Sequence, residues 1–287
     1  MKRVGFIGTE NSHVQHFIRF LNAERRHPGV TGTALVGGPS ERNRALAAEG
    51  GIDVIVEEPA DLLGRVDAAI VSSRDGARHL EHARPLLAAG LPVLVDKPLA
   101  ASVEDADALL RTAREHDAVL VSCSALRFVP EMAELTAAAP SRGALRHLHV
   151  VGPADPDSEY SGLYFYGIHH VEAALEMLGN PVVDQVAARA TRDGDTTVAS
   201  CRIADVEVTF TFVTPHDDGR VPFHVTAVHT DAVVARELTL GPDYNAPALE
   251  EFLGAVASGS PRLSHAQLRT PVVVLDAVTQ ALGRTTP

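Results

Sequence analysis

The sequence predicts an α/β protein. An N-terminal doubly wound (Rossmann) parallel sheet is followed by a C-terminal α+β domain with an open antiparallel sheet. Three observations carry this reading. Up to about residue 122, short apolar runs alternate with segments of helical spacing, the pattern of a parallel sheet with helical crossovers. Beyond Gly179, segments of alternating apolar and polar residues follow one another across short turns, as antiparallel strands do. The length, 287 residues, accommodates two ordinary domains. We divide the chain into 1–122, a dinucleotide-binding domain, and 123–287, a substrate and oligomerisation domain. The helix at about 268–283 is expected to pack back on the first domain.

Composition excludes several classes of function. The formal net charge is -12 and no cluster of Lys and Arg stands out, which speaks against nucleic acid and anionic membrane as partners. The two cysteines, Cys123 and Cys201, form no CxxC and suggest neither a disulfide framework nor a zinc site. No apolar stretch is long enough for a membrane span or a signal peptide, so the cytoplasm is the expected compartment. Fourteen histidines invite a metal reading through His13/His16, His79/His82, His147/His149 and His169/His170. These pairs lie in different elements and no acid is spaced to complete any of them, so no metal site is expected.

Val4 to Gly8 reads as the first strand, and Val14, Phe17, Ile18 and Leu21 follow with helical spacing. Strand, glycine turn and helix are the setting of a dinucleotide fingerprint. The fingerprint is altered. With Gly8 as its first glycine, Glu10 takes the second place and His13 the third. Gly8, Thr9, Asn11, Ser12 and His13 are the turn's candidate cofactor contacts, and Glu10 sets a carboxylate where a pyrophosphate should approach. Thr33 to Gly37 is the second strand. Ser40 is placed to cap the next helix, which runs to Gly50. The second strand ends in Gly37-Gly38 rather than in an acid, and Ser40, Arg42 and Arg44 follow. If Arg42 reaches a 2′-phosphate, NADP is favoured over NAD; otherwise Arg42 and Arg44 are solvated helix charges.

Ile52 to Ile55, Ala68 to Val71, Val93 to Val95 and Val119 to Val121 continue the parallel pattern. A helix interrupted at Pro85 precedes Gly90, and Ser102-Val103-Glu104-Asp105 opens a helix to about His116. Ser72 and Ser73, which end the fourth strand, and His79, which follows, are further candidate cofactor contacts, as is Ser40. Asp96-Lys97-Pro98 ends the fifth, where a rigid turn can deliver Lys97 to a ligand. In the second half, Leu145 to Val151 alternates as a half-exposed strand. Val182 to Ala190, Thr197 to Ile203, Val206 to Val213, Phe223 to His229 and Val233 to Leu240 read as five successive strands, with turns at Asp193-Gly194-Asp195 and Asp217-Asp218-Gly219. Helices are expected near 246–257 and 271–282. The exposed face of such a sheet predicts a homodimer or homotetramer. Tyr160, Tyr164 and Tyr166 fall within seven residues and suit either a polyol pocket or loop anchoring.

These motifs in this order resemble the Gfo/Idh/MocA family of NAD(P)-dependent oxidoreductases. Asp96-Lys97-Pro98 is similar to its Glu-Lys-Pro motif, and Arg127-Phe128-Val129-Pro130 to its Arg-Phe-x-Pro element. Gly167-Ile168-His169 with Glu172 is similar to its Gly-(Val/Ile)-His segment, and His16 and His79 fall where the family commonly has histidine. The resemblance implies that Lys97 contacts nicotinamide ribose and substrate, with Asp96 beside it, and that His169 is the general acid/base. Arg127, Tyr166 and His170 join them as candidate substrate contacts, Lys97 and His169 being expected to share one cleft. The family's Asp four residues before the histidine is Phe165 here, so Tyr164, Tyr166 or His170 would have to orient the imidazole. The implied activity is hydride transfer to or from a small polyhydroxylated or carbonyl substrate. The alternative is a derived chain that has lost hydride transfer and serves as a non-redox enzyme or ligand-sensing regulator, to which Glu10, His13 and Phe165 point.

Overall fold

The structure, a computed structural model, describes residues 2–216 and 219–284. It resolves into two compact units, Met1–Cys123 with Asn245–Ser264, and Ser124–Tyr244 with His265–Pro287. The first carries strands β1 (Lys2–Ile7), β2 (Val30–Val36), β3 (Val54–Val56), β4 (Ala68–Val71), β5 (Val93–Val95) and β6 (Leu120–Val121), with helices α1 (Ser12–Ile18), α2 (Glu41–Gly50), α3 (His79–Ala88) and α4 (Val103–Glu115) between them. The strands are parallel in the order β3-β2-β1-β4-β5-β6. That is a doubly wound sheet whose order reverses between β1 and β4. The four residues of β4 and the three of β5 are all buried, which explains their unbroken apolar runs. Ser40 Oγ accepts from Asn43 N at the start of α2, and Ser102 Oγ from Asp105 N at the start of α4. Pro85 sits inside α3 without ending it.

The second unit carries α5 (Pro130–Ala138), β7 (Leu145–Pro153), α6 (Gly167–Met177), β8 (Ala188–Asp193), β9 (Thr196–Ile203), β10 (Val206–Val213), β11 (Phe223–His229) and β12 (Val233–Leu238). Its sheet corrects the expected antiparallel meander. The order is β12-β11-β7-β10-β9-β8, with β7 inserted between β10 and β11 and parallel to β10. The chain reaches β7 first and α6 intervenes, so β7 takes the central place and the later hairpins pair on either side. Strand β8 begins six residues later than expected, and Asp217 and Asp218 of the expected second turn lie outside the described residues. Leu148, Val150, Val208, Phe210 and Phe212 are buried on the face that α6 covers. His147 and His149 stand on the other, half-exposed face, hydrogen-bonded to Thr209 and Thr211.

The last two helices also differ from expectation. Helix α7 (Ala246–Ser258) packs on α1, β5 and β6 of the first unit, whereas α8 (His265–Arg284) packs on α6 and β8 of the second. The helix that packs on the first unit is therefore α7, not the expected helix at about 268–283. Helix α8 starts upstream of Pro271 because buried Leu268 extends the apolar stripe of Val272 and Leu275 by one turn. Among the described residues, no helix is long and apolar enough to cross a membrane, and no group of three or more His, Cys, Asp or Glu is placed to hold a metal.

Candidate functional site

In the first unit the site is built at the carboxyl ends of β1, β4 and β5. Gly8 has φ +79°, and a Cβ there would lie 2.1 Å from the backbone nitrogen of Ser73. Glycine is thus required by the close approach of β1's turn to the end of β4 as well as by the left-handed backbone. The Asn11 side chain caps α1 by accepting from His13 N at 3.2 Å. Glu10 is turned aside: its carboxylate accepts from Arg74 N at 3.0 Å, and the Arg74 guanidinium donates back to the Glu10 carbonyl. The carboxylate that the sequence sets against a pyrophosphate is held by the segment following β4.

His13, in the third fingerprint position, reaches across to β5. Its Nδ1 lies 2.5 Å from Asp96 Oδ2, while Asp96 Oδ1 accepts from Lys97 N at 2.8 Å. Burial alone would raise the Asp96 pKa, but His13 and Lys97 outweigh it and hold the carboxyl below its ordinary range. The first turn of α1 and the lysine turn are therefore tied together through one buried carboxylate. Lys97 is itself buried, at 7% exposure.

Other expected cofactor contacts are committed to the scaffold. His79 is fully buried, with Nδ1 at 2.7 Å from the Pro98 carbonyl and Nε2 at 2.9 Å from the Ser73 carbonyl. Burial depresses its pKa against the pull of these two carbonyls, and the ring bridges the end of β4 and the Lys97-Pro98 turn. This corrects its assignment as a cofactor ligand. Ser73 Oγ is bound to His82 Nδ1 at 2.6 Å, whereas Ser72 Oγ is buried with no hydrogen-bond partner at the end of β4. Ser40 serves as the α2 cap, Thr9 stays in the glycine turn, and Ser12 opens α1.

At the end of β2, Asn43 donates to the carbonyls of Val36 and Gly38 and fixes the Gly37-Gly38 turn. Arg42 is exposed, with Nε donating to the Thr9 carbonyl at 3.0 Å, so it stands beside the glycine turn. A Cβ on Gly38 would meet the Glu57 carboxylate at 2.5 Å. The Glu57 carboxylate, from just beyond β3, thus stands beside the Gly37-Gly38 turn at the end of β2. The turn, an unpartnered serine hydroxyl, a displaced Glu10 and a polar β2 end fit a dinucleotide.

In the second unit the centre is His169, in the first turn of α6. Its Nδ1 lies 2.7 Å from Ser124 Oγ, and Ser124 N donates to Glu172 Oε2 at 2.7 Å. Tyr166 and Phe223 flank the imidazole edge-on, with centroids at 5.6 and 5.5 Å. Tyr166 is 40% exposed and borders a cavity of about 570 Å³ whose walls include Asp155, Ser158, Tyr160, Phe165 and Arg220. Two expected substrate contacts are corrected. The Arg127 guanidinium is buried and bound to Glu172, to Glu176 at 2.9 Å and to Asn180. His170 is fully buried between Phe212 and Phe223, and burial pushes its pKa down to about 4. Both are part of the support of α6. Sequence reasoning missed Ser124, Asn43 and Glu57; Ser124 alone carried a signal, as a serine preceding a short helical turn at 125–128.

Strand order and glycine turn define the first unit as a doubly wound Rossmann unit. Residues 2–123 match the Gfo/Idh/MocA model, described as an oxidoreductase family with an NAD-binding Rossmann fold. The chain is 39% identical over 109 residues to inositol 2-dehydrogenase 1 of Saccharopolyspora erythraea, a match covering 36% of this chain and only 30% of that protein. Among solved structures, GenD2 from gentamicin A biosynthesis in complex with NAD superposes with a TM-score of 0.84 at 20% identity, covering 99% of this chain and 95% of its own. KijD10, a 3-ketoreductase from Actinomadura kijaniata in complex with NADP and TDP-benzene, gives 0.78 at 21% identity, covering 98% of each chain. These two likenesses establish the two-domain fold.

Proposed function

We propose that the protein is an NAD(P)-dependent oxidoreductase acting on a small polyhydroxylated substrate or its ketone, of the cyclitol or sugar class. The observation that carries this reading is the His13–Asp96–Lys97 linkage, in which the Asp96 carboxylate holds the Lys97 backbone N–H and ties the lysine turn at the end of β5 to the first turn of the helix after the glycine turn. When bound, the nicotinamide accepts a hydride from carbon or returns it. Lys97 donates a hydrogen bond to the reacting oxygen and stabilises the charge that develops there. His169, with Nδ1 engaged by Ser124, takes the hydroxyl proton on Nε2 as the carbinol is oxidised and gives it back in reduction. Relatives named as inositol dehydrogenases and as a 1,5-anhydro-D-fructose reductase support the substrate class.

At the adenosine end, Arg42 favours a 2′-phosphate and Glu57 opposes it, and we propose that the two offset each other. Calorimetric titration with NADH and NADPH tests this. Both bind within about tenfold of each other, and Glu57→Gln tightens NADPH by about fivefold, the worth of one partly screened charge of about 1 kcal/mol. No binding of either dinucleotide overturns the reading; binding without turnover of any cyclitol or sugar leaves the ligand-sensing alternative. Placement in the cytoplasm and assembly of copies through the half-exposed face of the second sheet remain parts of this proposal.

A further inference from the structure

We propose that Ser124 is the positioning residue for His169, standing in for the carboxylate whose place in the sequence Phe165 occupies. The inference rests on the oxidoreductase reading and deepens it. Phe165 packs its ring on Tyr160 and Tyr166, with centroids at 4.9 Å from each. Tyr164 points its hydroxyl to Asp276, at 3.4 Å, and His170 is enclosed by Phe212 and Phe223. Ser124, fully buried, instead sets Oγ at 2.7 Å from His169 Nδ1. Its backbone N–H holds Glu172 one turn further along α6, and Glu172 is in turn bound by Arg127. Ser124 thus grips α6 at two residues three apart, which fixes both the ring and the hydroxyl facing it.

The exchange of a carboxylate for a hydroxyl has a chemical consequence. A carboxylate only accepts, so it would hold the proton on Nδ1 and stabilise the imidazolium. Ser124 Oγ already accepts from Leu126 N at 3.2 Å, and its second lone pair can accept from Nδ1–H, leaving Nε2 as the base for alcohol oxidation. After rotation the hydroxyl donates to Nδ1, Nε2 carries the proton, and the neutral ring polarises a substrate carbonyl. Ser124 therefore sets the direction of the imidazole without fixing its tautomer.

The test uses the full chain with ¹⁵N-labelled histidine, comparing wild type, Ser124→Ala and Ser124→Thr by NMR and by steady-state kinetics. Threonine keeps the hydroxyl, and the extended backbone at Ser124 (φ -78°, ψ 139°) suits a branched residue. We expect Ser124→Ala to shift the His169 ring-nitrogen resonances and to lower kcat by about 10- to 100-fold, less than loss of the acid/base itself. Substrate KM should stay within about twofold, and Ser124→Thr should restore kcat to within about threefold. A folded Ser124→Ala protein with unchanged His169 nitrogens, or with kcat within about twofold of wild type, overturns the proposal. If the wild type turns over no cyclitol or sugar, the oxidoreductase reading fails. The NMR arm then still decides the Ser124 contact: a shift in Ser124→Ala supports it, and none overturns it.

Discussion

Arg127 and His170 have the residue types of a substrate site and the surroundings of a core. The Arg127 side chain is 1% exposed and spent on Glu172 and Glu176, and removing one partner of a buried pair leaves an uncompensated charge. Arg127→Leu should therefore cost about 3–5 kcal/mol of stability in denaturant unfolding. A substrate-binding arginine would show itself by a raised KM in a protein of normal stability. For His170 the sign follows from its depressed pKa. The unfolded chain binds a proton near the ordinary value of 6.5, the folded chain only near 4, so this group lowers stability progressively as pH falls from about 6.5 to 4. The window is worth about 3 kcal/mol at 1.36 kcal/mol per pH unit. Thermal melts of His170→Leu should lose less stability than wild type between neutral pH and pH 4.5; parallel losses would contradict the assignment. Neither environment was legible in the sequence, because the partners of Arg127 lie 45 and 49 residues away and those of His170 come from strands 42 and 53 residues further on. Lys97 and His169 were legible as a lysine at a strand end and a histidine opening a helix.

At the scale of elements, β1, its turn and β4 act as one piece. Gly8→Ala would drive a methyl group into the Ser73 backbone at a residue with positive φ. It should weaken dinucleotide binding by at least tenfold, about 1.4 kcal/mol, and also destabilise the first unit. Tight binding by a stable Gly8→Ala protein would show that this turn is not the phosphate site. The parallel sheet was readable because short apolar runs alternate with helical segments, those of α2 and α4 opened by serine caps, a local pattern. The second sheet was read as a meander because periodicity reports which face a strand shows and not its neighbours. The insertion of β7 between β10 and β11 is a long-range pairing with no local mark. The same limit applies to α7 and α8, whose amphipathic patterns do not say which unit covers them.

At the scale of the whole molecule, the residues to which we assign roles occur in both units. The first offers the dinucleotide turn and Lys97, the second offers His169 and its support from Ser124. The altered fingerprint does not disqualify the first unit, since Glu10 is drawn off by Arg74 and His13 is used to hold Asp96. Both departures from the glycine pattern thereby acquire a structural role, which single-sequence reading could not supply. The most direct measurement is the transfer of label from substrate carbon to cofactor. The protein is incubated with carbon-deuterated inositol and NAD⁺ or NADP⁺, and the reduced nicotinamide is analysed by mass spectrometry. The account predicts one deuterium delivered per turnover by the wild type, and transfer lost in Lys97→Ala and in His169→Ala while dinucleotide binding persists in His169→Ala. A wild-type protein that binds the dinucleotide yet delivers no deuterium from any cyclitol or sugar carbinol, and takes none back from the reduced cofactor into the matching ketones, would contradict it.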